Sequence, residues 1–361
     1  MRALKWILLI AGMLIFIVAG YYTYSIVNFA NNISQGTDVN EGEGGTGTTV
    51  KTNPELIPPK WESKNRVNVL LLGGDSRGMK KNEVPRSDTL MVASIDPVTK
   101  KAHLFSILRD SYVKIPGHGE ERINAAYTLG GANLAMKTVS DLLGIPIQYY
   151  VYTDFVGFIA LIDAVGGIEF EVEKDMKYQD SADDHVYDIN LKKGLQQMDG
   201  KTALQYVRFR HDALSDFSRT ERQRNFMQAV AKKLQSTSSI LKLPKILSAI
   251  DPYIETNLSV TDMVKLGALG FEAKVDGIVS SQLPPSELLV EKNVRGAAVI
   301  TSDKDKLQSF ISNLFEGMTT EEALNSKPKP SGTSKATSTP KASSKPTATP
   351  KATATPKATA T

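Results

Sequence analysis

The 361-residue chain contains no cysteine. Disulfides, cysteine-ligated zinc, iron–sulfur clusters and a thiol nucleophile are therefore excluded. Histidine is scarce as well: His103, His118, His185 and His211 are the only four, and none is at metal-ligand spacing. A histidine-based hydrolase or zinc centre is disfavoured on that ground. Glycine pairs at Gly73, Gly130 and Gly166 lack the spacing of a dinucleotide or phosphate-binding loop, and Asp180–Asp184 lacks that of a calcium loop. A surplus of one sign of charge is also missing from the folded part. The net charge is +4, but the last 36 residues hold seven lysines and no acid. With those and Arg2 and Lys5 set aside, residues 6–325 stand at −5. A nucleic-acid partner, which needs a basic folded face to displace counterions, is not expected.

Long apolar runs are limited to one. Trp6 to Val27 is free of charged residues, and its 22 residues are enough to span a bilayer core of about 30 Å as a helix. Arg2 and Lys5 precede it and Tyr21, Tyr22 and Tyr24 close it. The expectation is a single N-terminal transmembrane helix, with residues 1–5 cytoplasmic and the remainder extracellular, at the cell membrane of a Gram-positive-type envelope. A cleaved signal peptide would be shorter and would end in small residues. Residues 28–60, with five glycines among Asn, Thr and Glu, read as a flexible linker. Residues 326–361, built of Ser, Thr, Ala, Pro and Lys, read as a disordered cationic tail suited to weak attraction to anionic wall polymer.

Between them, 61–325 reads as one α/β domain. Strands are expected at 67–72, 89–95, 102–108, 147–153 and 168–172. Helices are expected at 132–143, stopped by Gly144, at 155–165, capped by Asp154, and up to Phe315 after Asp303. If the first three strands form an antiparallel meander, Gly73-Gly74-Asp75, Arg86-Ser87-Asp88 and Arg109-Asp110 converge at one sheet edge. Two carboxylates beside guanidiniums suit a divalent cation and a phosphate. Surface salt bridges are the plainer reading of the same residues.

A second cluster follows. Read as extended chain, Tyr206–Arg210 puts Arg208 and Arg210 on one side and Val207 and Phe209 on the other. Ser218-Arg219-Thr220-Glu221 is a capping box that starts a helix to about Leu234, whose apolar stripe (Phe226, Met227, Val230) continues backwards through Gln223, Arg222 and Arg219. Guanidiniums on a core-facing stripe need an anion. That anion is a ligand, or it is internal, from Asp212, Asp216 and Glu221.

Together, Val69–Asp75, Arg86–Thr89, Leu108–Asp110, Ile123–Tyr127 with Gly130-Gly131, Val207–Arg210 and Arg219 with Arg222-Gln223 resemble the LytR-CpsA-Psr family of cell-wall glycopolymer ligases, over about residues 65–236. The resemblance implies a central mixed sheet flanked by helices. It implies transfer of a polyprenyl-(pyro)phosphate-linked glycopolymer, such as wall teichoic acid or capsular polysaccharide, onto peptidoglycan, with Mg²⁺. By the same resemblance, Asp75 and Asp88 are the metal-side aspartates. Arg86, Arg109, Arg208, Arg210, Arg219, Arg222 and Gln223 are the pyrophosphate-side residues. Asp75, Arg109, Asp216 and Arg219 are the candidate catalytic groups, with Asp75 or Asp216 as proton acceptor. The lipid pocket is expected from the helices near 132–143 and 155–165. Hydrolysis of the same lipid-linked phosphate and a non-catalytic envelope regulator are the alternatives.

Overall fold

In the computed structural model, residues 2–34, 54–75, 87–179, 185, 188–210, 216–273 and 277–326 are described, residues 2–16 by backbone alone. Arg86, Asp212, most of the 28–60 linker and the 327–361 tail lie outside them.

Helix α1 is Arg2–Ser34. The transmembrane expectation for 6–27 is corrected here, because no helix among the described residues is long and apolar enough to cross a membrane. The physical reason is what the C-terminal half of α1 carries and touches. Thr23, Ser25, Asn28, Asn31 and Asn32 interrupt its apolar surface. The Tyr22 hydroxyl donates to the Leu241 carbonyl at 2.8 Å, Asn32 donates to Asp251 at 2.8 Å, and Ala30 and Ile33 are buried. This half is thus bonded to the domain. Single-helix membrane anchoring, the signal-anchor assignment and the single-pass localisation that rested on it fall together.

Apolar, β-branched runs then give β1 (Val67–Gly74), β2 (Ser87–Ile95) and β3 (Ala102–Ile107). The hairpin β4 (Tyr112–Ile115) and β5 (Gly119–Arg122) follows. Helix α2 (Ala125–Leu143) is broken at Gly130-Gly131 and ended by Gly144 at φ +70°. Strand β6 (Tyr149–Asp154) runs straight into α3 (Phe155–Ala164), whose first turn is capped by Asp154 accepting from the Gly157 N–H at 2.9 Å. Four short strands come next, β7 (Ile168–Val172), β8 (Met176–Tyr178), β9 (Ile189–Leu191) and β10 (Gly194–Met198), paired as β7 with β10 and β8 with β9. Helices α4 (Gly200–Arg208), α5 (Asp216–Leu234), α6 (Thr237–Leu241) and α7 (Leu243–Ile250) precede β11 (Ile254–Thr256) and α8 (Val260–Glu272). The chain continues with β12 (Val279–Leu283), the hairpin β13 (Leu289–Val294) and β14 (Ala297–Ser302), α9 (Lys304–Phe315) and α10 (Thr320–Asn325).

The central sheet has the order β11-β6-β1-β2-β3-β12 and is mixed: β1 and β6 are parallel, as are β3 and β12, and the other pairs are antiparallel. The expected mixed sheet with flanking helices is present. Alternation along the strands divides the interior. Leu70, Leu72, Val92, Phe105 and Tyr150 face a core closed by α2 and α9. A second core, built on α3, α4, α5 and the β7–β10 strands, centres on Phe226, Tyr206 and Ile162.

Candidate active site

The meander brings its three ends together as expected. Gly74 pairs with Ser87 across β1 and β2, and the Arg109 Nη1 donates to the Asp88 carboxylate at 2.6 Å. Strand β6, parallel to β1, adds its own end: Asp154 stands opposite Gly74. A cavity of about 360 Å³ opens at this edge. Its inner wall is apolar, from Leu71 and Met91 on the sheet, Phe155, Phe158 and Leu161 on α3, Leu204 and Val207 on α4, and Met227 on α5. Polar groups also line it: Asp75, Asp88, Asp154, Arg208, Arg210, Arg219 and Gln223. An apolar cavity with a few convergent polar groups is the usual form of a small-molecule site.

Two expectations about the surrounding backbone are corrected. Tyr206–Arg208 is the end of α4, not extended chain, and Phe209 is its C-cap. Helix α5 begins at Asp216, before the Ser218 capping box, which therefore does not mark its start. Arg208 and Arg210 still both reach the cavity, Arg208 lying 5.1 Å over the Phe155 ring. Of the two helices expected to supply a lipid pocket, α3 lines the cavity and α2 packs into the opposite core.

Behind the lining, Asp216 ties two guanidiniums together, at 2.6 Å from Arg219 and 3.9 Å from Arg109. Burial pulls the Arg219 guanidinium down to about 10; Asp216 opposes that fall, while the positive charges of Arg109 and Arg210 add to it. It remains a cation at neutral pH. Its Nη2 is the atom paired with Asp216, and its Nε is buried without a hydrogen-bond partner among the described residues. Arg109 is different. Burial disfavours its charge, yet Asp216, Asp88 and Asp110 outweigh that and hold its pKa above the ordinary value. Its Nε is likewise left without a hydrogen bond.

Arg222 is not brought to the cavity. It donates to Glu173 at 2.7 Å and to the Phe209 carbonyl at 2.9 Å, so it braces the α4–α5 junction. Arg86 lies outside the described residues. Sequence reasoning read Asp154 only as a helix cap; its place at the site follows from the parallel pairing of β6 with β1. Tyr178 and Ile189, which line the cavity from the β8–β9 hairpin, carried no signal of their own.

Asp75 and Asp88 are a donor set that suits magnesium, which takes one or two protein carboxylates and fills the rest of its shell with water and phosphate oxygens. Both line one cavity, and Asp88 gives one carboxylate oxygen to Arg109. No cluster of three or more His, Cys, Asp or Glu suited to a metal occurs among the described residues.

Residues 23–316 match the LytR_cpsA_psr family. The chain is 34% identical to the regulatory protein MsrR of Staphylococcus aureus over 258 residues, covering 69% of this chain and 76% of that protein. It is 35% identical to the polyisoprenyl-teichoic acid–peptidoglycan teichoic acid transferase TagU of Bacillus anthracis over 264 residues, covering 73% and 81%. Among solved structures, the Bacillus subtilis protein YwtF (TagT) with bound octaprenyl pyrophosphate lipid superposes with a TM-score of 0.53 at 27% identity, covering 72% of this chain and 92% of that one.

Proposed function

Since this chain belongs to the LytR-CpsA-Psr family, we propose that it transfers an anionic glycopolymer of the wall teichoic acid or capsular type from a polyprenyl (pyro)phosphate onto peptidoglycan, forming a phosphodiester. The coarser statement, a family transferase acting on polyprenyl-phosphate-linked glycopolymer, rests on the match over residues 23–316 and on relatives named as teichoic acid transferases. One observation carries the finer one: an apolar cavity shares its opening with Asp75, Asp88, Arg208, Arg210, Arg219 and Gln223. That pairing of surfaces fits an isoprenoid joined to a pyrophosphate.

In this reading the isoprenoid lies against Phe155, Phe158, Leu161 and Met227, and the pyrophosphate meets Arg208, Arg210, Arg219 and Gln223. Arg219 on the cavity lining, with Arg109 joined to it through Asp216, brings guanidinium charge to the phosphoryl oxygens, where charge builds as the transferred phosphorus changes partners. Asp75 and Asp88 would hold magnesium, which supplies neutralisation of phosphate charge. A peptidoglycan hydroxyl attacks the phosphorus nearest the glycopolymer, and polyprenyl monophosphate leaves. The hydroxyl proton passes to a carboxylate of this cluster, Asp75 at the cavity surface or Asp216 behind the lining.

Titration of the full chain with octaprenyl pyrophosphate tests the binding half. We expect saturable binding that Phe158→Arg abolishes, since a charge in the apolar wall opposes the lipid. Equal binding by that variant would remove the cavity from the account.

A further inference from the structure

Arg224 is used by none of the chemistry above. It lies on α5 one residue past Gln223 but on the other flank of the helix, where its guanidinium donates to the Ser106 hydroxyl. It forms no ion pair among the described residues, and burial lowers its pKa despite the help of Glu221. An unpaired guanidinium withdrawn from water is costly unless an anion visits it.

The ground around it is built of polar groups. Met91, Ser106 and Gln282 are successive partners across β2, β3 and β12, so they share one face of the sheet. Met91 is part of the cavity floor, and Ser106 and Gln282 continue that row beneath α5. Thr220 donates to Gln282 at 3.2 Å, and near the far end of α5 Gln235 donates to the Gly270 and Ala273 carbonyls, ahead of β12. Helix and strand therefore run in opposite senses. The Arg224 guanidinium sits at Ser106, level with Gln282, and Ser280 is two residues back along β12, about 6.6 Å. The Ser280 hydroxyl, on the same face as Gln282, is buried and has no hydrogen-bond partner among the described residues. Arg224, Ser280 and Gln282 each keep part of their surface in solvent.

We infer that Arg224 and Ser280, between α5 and β12, form a second oxyanion subsite that takes a phosphodiester of the glycopolymer beyond the phosphate being transferred. Arg109 is three residues beyond Ser106, in the turn that follows β3. A donor with phosphates along its length can engage both places at once, and a neutral polysaccharide cannot. The inference rests on the proposed reading of the donor as an anionic phosphodiester polymer.

The test is calorimetric titration of the full chain with a lipid-free glycerol phosphate hexamer, with inorganic phosphate, and with octaprenyl pyrophosphate. The hexamer should bind more tightly than inorganic phosphate. Arg224→Gln should weaken the hexamer about tenfold or more, as loss of a charge-assisted hydrogen bond implies, and leave octaprenyl pyrophosphate within about twofold. Ser280→Ala removes a hydroxyl that makes no hydrogen bond among the described residues and should weaken the hexamer by a smaller factor. Hexamer affinity unchanged in both variants, or no better than that of inorganic phosphate, would overturn the subsite. So would an Arg224→Gln variant that loses hexamer and lipid equally. Because these titrations need neither lipid-linked donor nor acceptor, hexamer binding through Arg224 in a chain that transfers nothing would refute the proposed function and leave the subsite standing.

Discussion

Asp216 and Arg219 sit 2.6 Å apart with unequal burial, 21% and 6% exposed, and this asymmetry sets opposite consequences for their removal. Asp216→Asn strips two guanidiniums of a shared carboxylate, and the cost should approach the roughly 3 kcal/mol of orphaning a buried charge. Arg219→Met removes the desolvated cation itself and leaves Asp216 to Arg109. We expect it to melt no lower than the wild type while binding octaprenyl pyrophosphate about one to two decades more weakly. Thermal melts and lipid titration of the pair check this; an Arg219→Met protein that unfolds with normal lipid affinity would make the arginine a structural strut. His103 gives a pH prediction. It is 2% exposed, placed between Arg66 and the Leu314 carbonyl, and burial first, then the charge of Arg66, lowers its pKa to about 4 from 6.5. It is neutral in the fold at neutral pH. Below 6.5 the unfolded chain binds a proton that the folded one does not, so this contribution is whole above that pH and declines toward about 4, by at most about 1.4 kcal/mol per unit. Urea midpoints of wild type and His103→Gln should therefore diverge in slope over that window, and parallel slopes would refute the assignment. Arg219 and Asp216 were legible in the sequence, through the arginines on an apolar stripe and the acid they need; the buried setting of His103 was not. What Arg222 and Arg224 touch was not, because period along a helix gives a face and not a partner.

Element by element, the sequence reading succeeded where local chemistry decides. The three-strand meander, Asp154 and Asp303 as caps, Gly144 as a helix stop and β7 to the residue all stand as expected. It failed at Tyr206–Arg210, where an extended chain was expected and α4 runs to Arg208. The helix is set by its start and its packing: Asp199 caps α4 by accepting from the Thr202 N–H, and Ala203, Leu204 and Val207 bury its inner face. The first turns of α2 were also missed, because Gly130-Gly131 looked like a helix boundary. Gly131 has φ +69° and ψ −165°, a region open in practice only to glycine, and the Cβ of an alanine at Gly130 would lie 2.6 Å from Leu134. The kink is thus fixed by both residues. Gly131→Ala should cost about 1–3 kcal/mol in denaturant unfolding; an unchanged midpoint would show that the kink is not imposed by backbone conformation.

At the scale of the whole molecule, the N-terminal helix is where composition misled most. A charge-free run of 22 residues satisfied a length criterion, but the described half of α1 is bonded through Tyr22 and Asn32 and packs Ala30 and Ile33 into the domain. Ile33→Ala should accordingly destabilise the domain by about 2 kcal/mol or more, the usual cost of a buried truncation, which a melt of the full chain would detect. The two cores lie on either side of a sheet whose one crowded edge gathers carboxylates and guanidiniums, and the second core supplies much of the apolar wall beside them. The most direct test of what that arrangement does is a reconstituted reaction of the full chain with a radiolabelled polyprenyl-pyrophosphate-linked glycopolymer and peptidoglycan. Label joined to peptidoglycan through a phosphodiester, dependent on Asp88 and Arg219, is the expected result. Label released as free glycopolymer with none attached, or attachment undiminished in Arg219→Met, would contradict it.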